Sequence, residues 1–400
     1  MSTMIPYGKQ HITQGDIDAV IEALTADYLT QGPKIAEFEE KFAAYCGAEY
    51  AIAVSNGTAA LHLAVLALGL KEDEYVICTP ITFSASSNCI RYAGGNVLFA
   101  DIDPSTYLID PASIRETISR HSDKKIRGII PVDFAGRLPQ MDEIRKIAEE
   151  HNLWIIEDSC HSPGGYFIDN EGQQQLSGNG KFADISVFSF HPVKHIATGE
   201  GGMLTTNSKV LYEELLLLRS HGITRNPEQF VNSIAFANGN AAKQNDESYP
   251  GWYMEMQELG YNYRITDFQC ALGISQLARA DEGLQKRKSI AKKYAEAFAS
   301  VPQIAGQSGY ITGHAYHLYI IEAEDRRGLY DFLKSHSVFS QIHYIPVHLM
   351  PYYKEQGWKE GDFPHAERYY SRCLSLPMFP TLSDTEQQFV IDKVIEYYNA

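Results

Sequence analysis

Long apolar runs, cysteine pairs and basic tracts are all missing from this chain of 400 residues. No stretch approaches the roughly 18 consecutive apolar residues of a membrane-spanning helix, so no membrane partner is expected. The first residues, Met1-Ser-Thr-Met-Ile-Pro6, lack the charged-then-apolar pattern of a secretory leader, and a cytoplasmic location is the expectation. The six cysteines (46, 78, 89, 160, 270 and 373) form no CxxC pair and stand in apolar contexts. They read as buried free thiols, with neither a metal site nor a disulfide framework. No Lys/Arg-rich run is present, which argues against a nucleic-acid partner. No Pro-, Gly- or Ser-rich tract suggests a disordered tail, and no internal repeat is found.

What the chain does have is material for a core. Hydrophobic residues make up 44% of it. Its length suits one large and one smaller domain, which we place at residues 1–265 and 266–400. Lys+Arg number 34 against 50 Asp+Glu, a net charge of −16. An anionic ligand must therefore be held by a local site and not by the overall field.

Short apolar runs alternate with helical patterns between residues 50 and 210. Strands are expected at Tyr50–Ser55, Tyr75–Thr79, Asn96–Asp101, Ile126–Asp133, Leu153–Asp158, Asp184–Phe190 and Gly202–Thr206, with a helix over Thr58–Leu70. Such alternation implies crossover connections and a mostly parallel sheet with helices on both faces, an α/β fold. Residues 225–255 lose periodicity and read as a long loop. A helical stretch is expected from Thr266 to Ser300. Strand-like His317–Ala323 and Phe339–Tyr344 flank a helical Arg326–Ser335, a smaller α+β unit.

Ligands of such sheets sit beyond the carboxyl ends of the strands. Four strand ends therefore matter. Ser55-Asn-Gly-Thr-Ala-Ala-Leu61 is a turn entering a helix, where free N–H groups can take a phosphate; by itself a plain helix cap explains it equally well. In Thr79-Pro-Ile-Thr-Phe-Ser-Ala-Ser-Ser-Asn88, Phe83 can stack on a flat ring, although a lone Phe more often packs a core. In Trp154-Ile-Ile-Glu-Asp-Ser-Cys-His161, the carboxylate of Asp158 can hold a pyridine nitrogen protonated, and His161 can reach a ring oxygen. In Val187-Phe-Ser-Phe-His-Pro-Val-Lys194, a lysine follows a buried strand; desolvation there lowers an amine from its free value of about 10.4 and makes it a nucleophile. Ser189 is placed to donate to a phosphate, and Gly199-Glu-Gly-Gly202 lets backbone pass close to a ligand.

In this order on one alternating sheet, these segments resemble the sugar aminotransferases of the DegT/DnrJ/EryC1/StrS group, within fold type I of the pyridoxal-phosphate enzymes. The resemblance runs from Gly8 to about Pro380 and includes Leu29-Thr-Gln-Gly-Pro33, the blocks just quoted, Arg219-Ser-His-Gly222 and Gly260-Tyr-Asn-Tyr-Arg-Ile-Thr-Asp-Phe-Gln-Cys-Ala-Leu-Gly273. It implies pyridoxal 5'-phosphate (PLP) as cofactor, with Lys194 as its Schiff-base lysine, Asp158 on the pyridine nitrogen and His161 on the ring oxygen. Phe83 would stack on the ring. Thr58, Ala59 and Ser189 would bind the phosphate, joined by Asn262 of a neighbouring subunit in a homodimer with shared active sites. Tyr7, Thr30, Asn88, Arg264, His317 and Tyr344 fall in segments that match substrate-contact regions; each aromatic or histidine among them also has a plain packing explanation.

Within the group, Pro80-Ile-Thr-Phe-Ser-Ala-Ser-Ser-Asn88 and Val132-Asp-Phe-Ala-Gly-Arg-Leu-Pro139 look like the branch that aminates C4 of a UDP-linked 4-keto-6-deoxy sugar for pseudaminic acid. Glutamate as donor, leaving 2-oxoglutarate, is likewise an implication of the resemblance. The 225–255 loop is longer than that branch leads one to expect and leaves open another nucleotide (dTDP or GDP) or amination at C3. Members with histidine in place of the lysine are dehydratases; Lys194 is retained here, with His195 after it. A dinucleotide-binding fold would need GxGxxG where SNGTAA stands, and a P-loop would need a glycine at Gln175 and Ser or Thr at Phe182. A regulator that binds cofactor without turnover is the non-enzymatic alternative, against which Lys194 and Asp158 both count.

Overall fold

The computed structural model describes residues 4–239, 248–306 and 309–399. Its centre is a seven-stranded sheet made of β1 (Tyr50–Val54), β2 (Tyr75–Cys78), β3 (Asn96–Phe99), β4 (Ile126–Ile130), β5 (Trp154–Asp158), β8 (Ile185–Ser189) and β9 (Gly202–Thr206), in the order β1-β9-β8-β5-β4-β2-β3. A hairpin that the apolar pattern does not announce, β6 (Tyr166–Ile168) with β7 (Gln174–Leu176), lies between β5 and β8 in the chain. All pairings of the large sheet are parallel except those of β9, which runs antiparallel to both neighbours.

Both faces of this sheet are covered, which explains why its strands read as apolar runs without alternation. Ile77, Ile129 and Ile155 point to one face, where Ile144 and Ile147 of the helix Met141–His151 meet them. Their chain neighbours Val76, Ile130 and Ile156 point to the other, under Leu61 and Ala64 of the helix Gly57–Ala67. At the β1 side, Phe38 and Phe42 of the helix Pro33–Cys46 pack on Phe188 and Met203. That helix begins with a proline at its first turn and stops at Gly47, whose φ of 76° suits a residue without a side chain.

The helical stretch expected over Thr266–Ser300 is two helices, Asp267–Leu277 and Ala280–Phe298. Arg279 stands at the break, and its guanidinium turns away to the Asp16 carboxylate and the His11 carbonyl. A short ladder of β10 (Ile223–Thr224) and β11 (Glu255–Met256) closes the excursion expected as a loop at 225–255, of which residues 240–247 lie outside the described residues.

The C-terminal part holds a three-stranded antiparallel sheet of β12 (Ile304–Gly306), β13 (Tyr319–Ala323) and β14 (Cys373–Leu376). Ile321, Leu374 and Leu376 pack there with Tyr294, Leu329 and Val390 from three helices. The strand expected at Phe339–Tyr344 does not form. Phe339 donates to the Ile5 carbonyl and Gln341 exchanges backbone bonds with Ser375 along the outer edge of β14, two isolated bridges to different partners. The His343 carbonyl is taken by the Tyr369 hydroxyl at 2.6 Å, so a side chain stands where a ladder partner would. Among the described residues no helix is long and apolar enough to cross a membrane.

Candidate active site

Beyond the carboxyl ends of β1, β2, β4, β5 and β8 lies a cleft of about 730 Å³. Ten of the fourteen residues singled out from the sequence line it: Tyr7, Thr58, Ala59, Phe83, Asp158, His161, Ser189, Lys194, His317 and Tyr344.

One end is suited to an anion. Asn56 caps the helix Gly57–Ala67, its Oδ1 accepting the Ala59 N–H at 2.8 Å. Ala59 therefore spends its own N–H on the cap, and the free donors of the first turn are those of Gly57 and Thr58. The tip of β8 meets this turn closely: a Cβ on Gly57 would stand 2.9 Å from the Cβ of Ser189. Two hydroxyls, two backbone N–H groups and the positive end of a helix thus converge.

The other end carries a fixed carboxylate. Asp158 is 5% exposed at the tip of β5. Its Oδ2 accepts from the Ser86 hydroxyl at 2.6 Å, and its Oδ1 from the Cys160 N–H at 3.2 Å. Ser86 in turn lies 2.7 Å from the Thr82 hydroxyl. Next to it, His161 accepts the Ala135 N–H at Nδ1, 3.2 Å away, which leaves the hydrogen on Nε2. Nε2 is 3.3 Å from the Tyr344 hydroxyl. Burial, then the cation of Lys194, pushes the pKa of His161 well below the ordinary histidine value, so the ring stays neutral.

Lys194 lines the same cleft as both. Its backbone is turned by an N–H bond to the His191 carbonyl at 2.8 Å. No described residue makes an ion pair or hydrogen bond with its Nζ. Desolvation lowers its pKa, with Cys160 and Asp158 opposing that shift. A half-buried amine without a partner, eased toward its neutral form, is a usable nucleophile and proton carrier.

Four of the expected residues do not line this cleft. Thr30 is exposed and bridges Thr266, two positions from Arg264. Asn262 is exposed, bridged to Ser220, and adjacent to Tyr263 of the cleft wall. Asn88 accepts the Tyr353 hydroxyl at 2.8 Å. Conversely, Ser86, His343 and the pair His62–Tyr263 (3.1 Å) face the cleft and were not singled out from sequence. Ser86 is one helical turn from Thr82 in a hydroxyl-rich segment, a signal available in principle; His343 was hidden in the expected strand.

A held carboxylate, a phosphate-ready turn and an unpaired amine lining one cleft match the donor set that a pyridine phosphate requires. A model of the DegT/DnrJ/EryC1/StrS aminotransferase family matches residues 10–395. The spore coat polysaccharide biosynthesis protein SpsC of Bacillus subtilis is 36% identical over 98% of this chain and 96% of its own. A UDP-4-amino-4,6-dideoxy-N-acetyl-beta-L-altrosamine transaminase of Campylobacter jejuni is 34% identical over 97% of this chain and 96% of its own. Among solved structures, a putative sugar aminotransferase from Streptococcus pneumoniae in its PLP form superposes with a TM-score of 0.85, at 26% identity, over 99% of both chains.

Proposed function

The chain belongs to the DegT/DnrJ/EryC1/StrS aminotransferase family and is a PLP-dependent sugar aminotransferase; from that premise we propose that it transfers the amino group of glutamate to C4 of a UDP-linked 4-keto-6-deoxy sugar, for pseudaminic acid or a related surface glycan. The observation that carries this reading is the unpaired amine of Lys194 in the same cleft as the held carboxylate of Asp158. The 34%-identical transaminase of Campylobacter jejuni and the polysaccharide protein of Bacillus subtilis support the sugar class.

Bound in the cleft, PLP supplies an electron sink for amino transfer. The residues divide the remaining work. Gly57, Thr58 and Ser189 hold the phosphate. Asp158, oriented by Ser86 and the Cys160 N–H, keeps the pyridine nitrogen protonated, and neutral His161 offers Nε2–H to the ring oxygen. Phe83 covers one ring face. Lys194 would anchor the cofactor, and its amine would take the proton from the α-carbon of glutamate and later deliver one to C4 of the sugar. Tyr7, His317 and Tyr344 border the space left for the sugar.

Thr30, Asn262 and Arg264 share one surface segment outside the cleft. That clustering supports a homodimer in which each chain offers these residues to its partner's site, Asn262 to the phosphate. Incubation of the holoenzyme and glutamate with a panel of 4-keto and 3-keto sugars carrying UDP, dTDP or GDP tests the substrate. Amination of UDP-4-keto-6-deoxy sugars at C4, read by NMR of the product, is expected. Exclusive C3 amination, or exclusive use of another nucleotide, would overturn the reading.

A further inference from the structure

A second cavity, of about 200 Å³, shares Lys194 with the cleft and is walled by Lys9, His11, His195, Arg279 and Lys286. In a chain of net charge −16, three cations, Lys9, Arg279 and Lys286, gather at this one cavity. Among the described residues Glu282 is the one acidic residue of its wall, 3.9 Å from Lys286. Asp16 lies behind, fully buried, and fixes Arg279; the Arg279 Nη1 also lies 3.1 Å from the Nδ1 of His11. Because a guanidinium can only donate, His11 accepts at Nδ1 and its Nε2–H is left as a donor. Among the described residues Lys9 has no ion-pair partner. Arg279 is thus held in place by Asp16 and His11, Lys286 has one carboxylate near it, and Lys9 is left without one.

His195 adds one acceptor. Its Nε2 lies 2.9 Å from the Ala315 carbonyl and must donate there, so the neutral ring has a bare Nδ1, which is buried and without a partner. The cations suit a carboxylate that reaches in from the cleft past the shared Lys194, and the bare Nδ1 of His195 serves as an acceptor for a water or a hydrogen carried beside it.

We propose that this cavity is the subsite for the carboxylate of a dicarboxylic amino donor, with Lys9, Arg279 and Lys286 as its specificity-determining cations. The inference rests on the assignment of Lys194 as the cofactor lysine, and supplies what the sequence leaves unspecified: the groups that would select an acidic donor. The cavity is too small for a nucleotide. Its other anionic candidate is the diphosphate of the sugar substrate, which would present a phosphate to the same cations.

The test uses the holoenzyme and its Lys9→Ala/Lys286→Ala double variant, both exposed substitutions, with glutarate and inorganic pyrophosphate as calorimetric probes. Glutarate binding weakened about tenfold or more in the variant, with a matching rise in KM for glutamate and no change in KM for the nucleotide sugar, is the expected result. Weakening confined to pyrophosphate and to the sugar KM would overturn the donor assignment in favour of the diphosphate. Equal binding of both probes to parent and variant would overturn the site itself. Arg279→Lys, which keeps charge and loses the fork, separates the same outcomes should the double variant misfold. Probe binding needs no turnover of any keto sugar, so failure of the sugar assignment would leave this readout intact.

Discussion

The wall that holds Asp158, His161 and Lys194 and the excursion at residues 225–259 are built on opposite plans. The wall is made of strand ends: Asp158 is tied there by Ser86 and the Cys160 N–H and His161 by the Ala135 N–H, and among the described residues Lys194 alone of the three is left without a partner. The excursion leans on a two-residue ladder and on Glu255, whose carboxylate collects the N–H groups of Val231 and Asn232 at 2.7 and 2.9 Å. It exposes Val231 (81%), Leu259 (79%) and Trp252 (70%). The tied polar groups are thus on the sheet, and the exposed apolar side chains are on the loop.

That contrast can be broken, and the most severe test is Lys194→Ala. Amino transfer should fall by about 10³-fold or more, the scale of losing a positioned proton carrier, while PLP is still bound without a covalent link. Unchanged turnover, measured as 2-oxoglutarate release, would remove Lys194 from its role. Mixing an Asn262→Ala chain with a Lys194→Ala chain should then restore part of the activity, since one of the two sites in a heterodimer is intact; no recovery would count against a shared site. Ser86→Ala removes a bond to a charged partner, about 1.5 kcal/mol or roughly tenfold in rate. It should also shift the pH titration of the bound cofactor's absorbance, and Ser86→Thr should restore both.

The wall further differs in its response to acid. His161, His195 and His317 are held well below the ordinary histidine value, chiefly by burial, and His314 and His343 are lowered to about 3. The unfolded chain takes up protons below pH of about 6.5 that the folded chain refuses, so stability is lost as pH falls through that value toward 3. Tm should drop between pH 7 and 5, and a flat profile would contradict buried neutral rings. Trp252→Ala, on the excursion, should change stability by no more than about 0.5 kcal/mol in urea unfolding of the isolated chain.

The same division explains what could be read in advance. Asp158, Lys194 and Ser189 follow apolar runs whose direction in an α/β sheet fixes where their ends point. The place of Thr30 depends on a pairing with Thr266 far along the chain, which no local pattern encodes. The supposed strand at Phe339–Tyr344 has suitable composition, but Tyr369 from another element takes its backbone carbonyl. The break between the two helices near Arg279 likewise answers to Asp16, a residue of the N-terminal helix Gln14–Thr25. Local periodicity carries no information about such distant partners.

The lone antiparallel strand has a consequence for how the chain is assembled. β1 has β9 as its neighbour in the sheet, with Tyr50 opposite Thr206. A chain leaving the ribosome must therefore keep its first strand waiting until residue 206 has emerged, and β8 shares that wait on the same side. Contacts of such long sequence separation slow folding. A nascent chain stalled short of β9 presents two bare strand edges to its neighbours, the condition in which aggregation competes with completion.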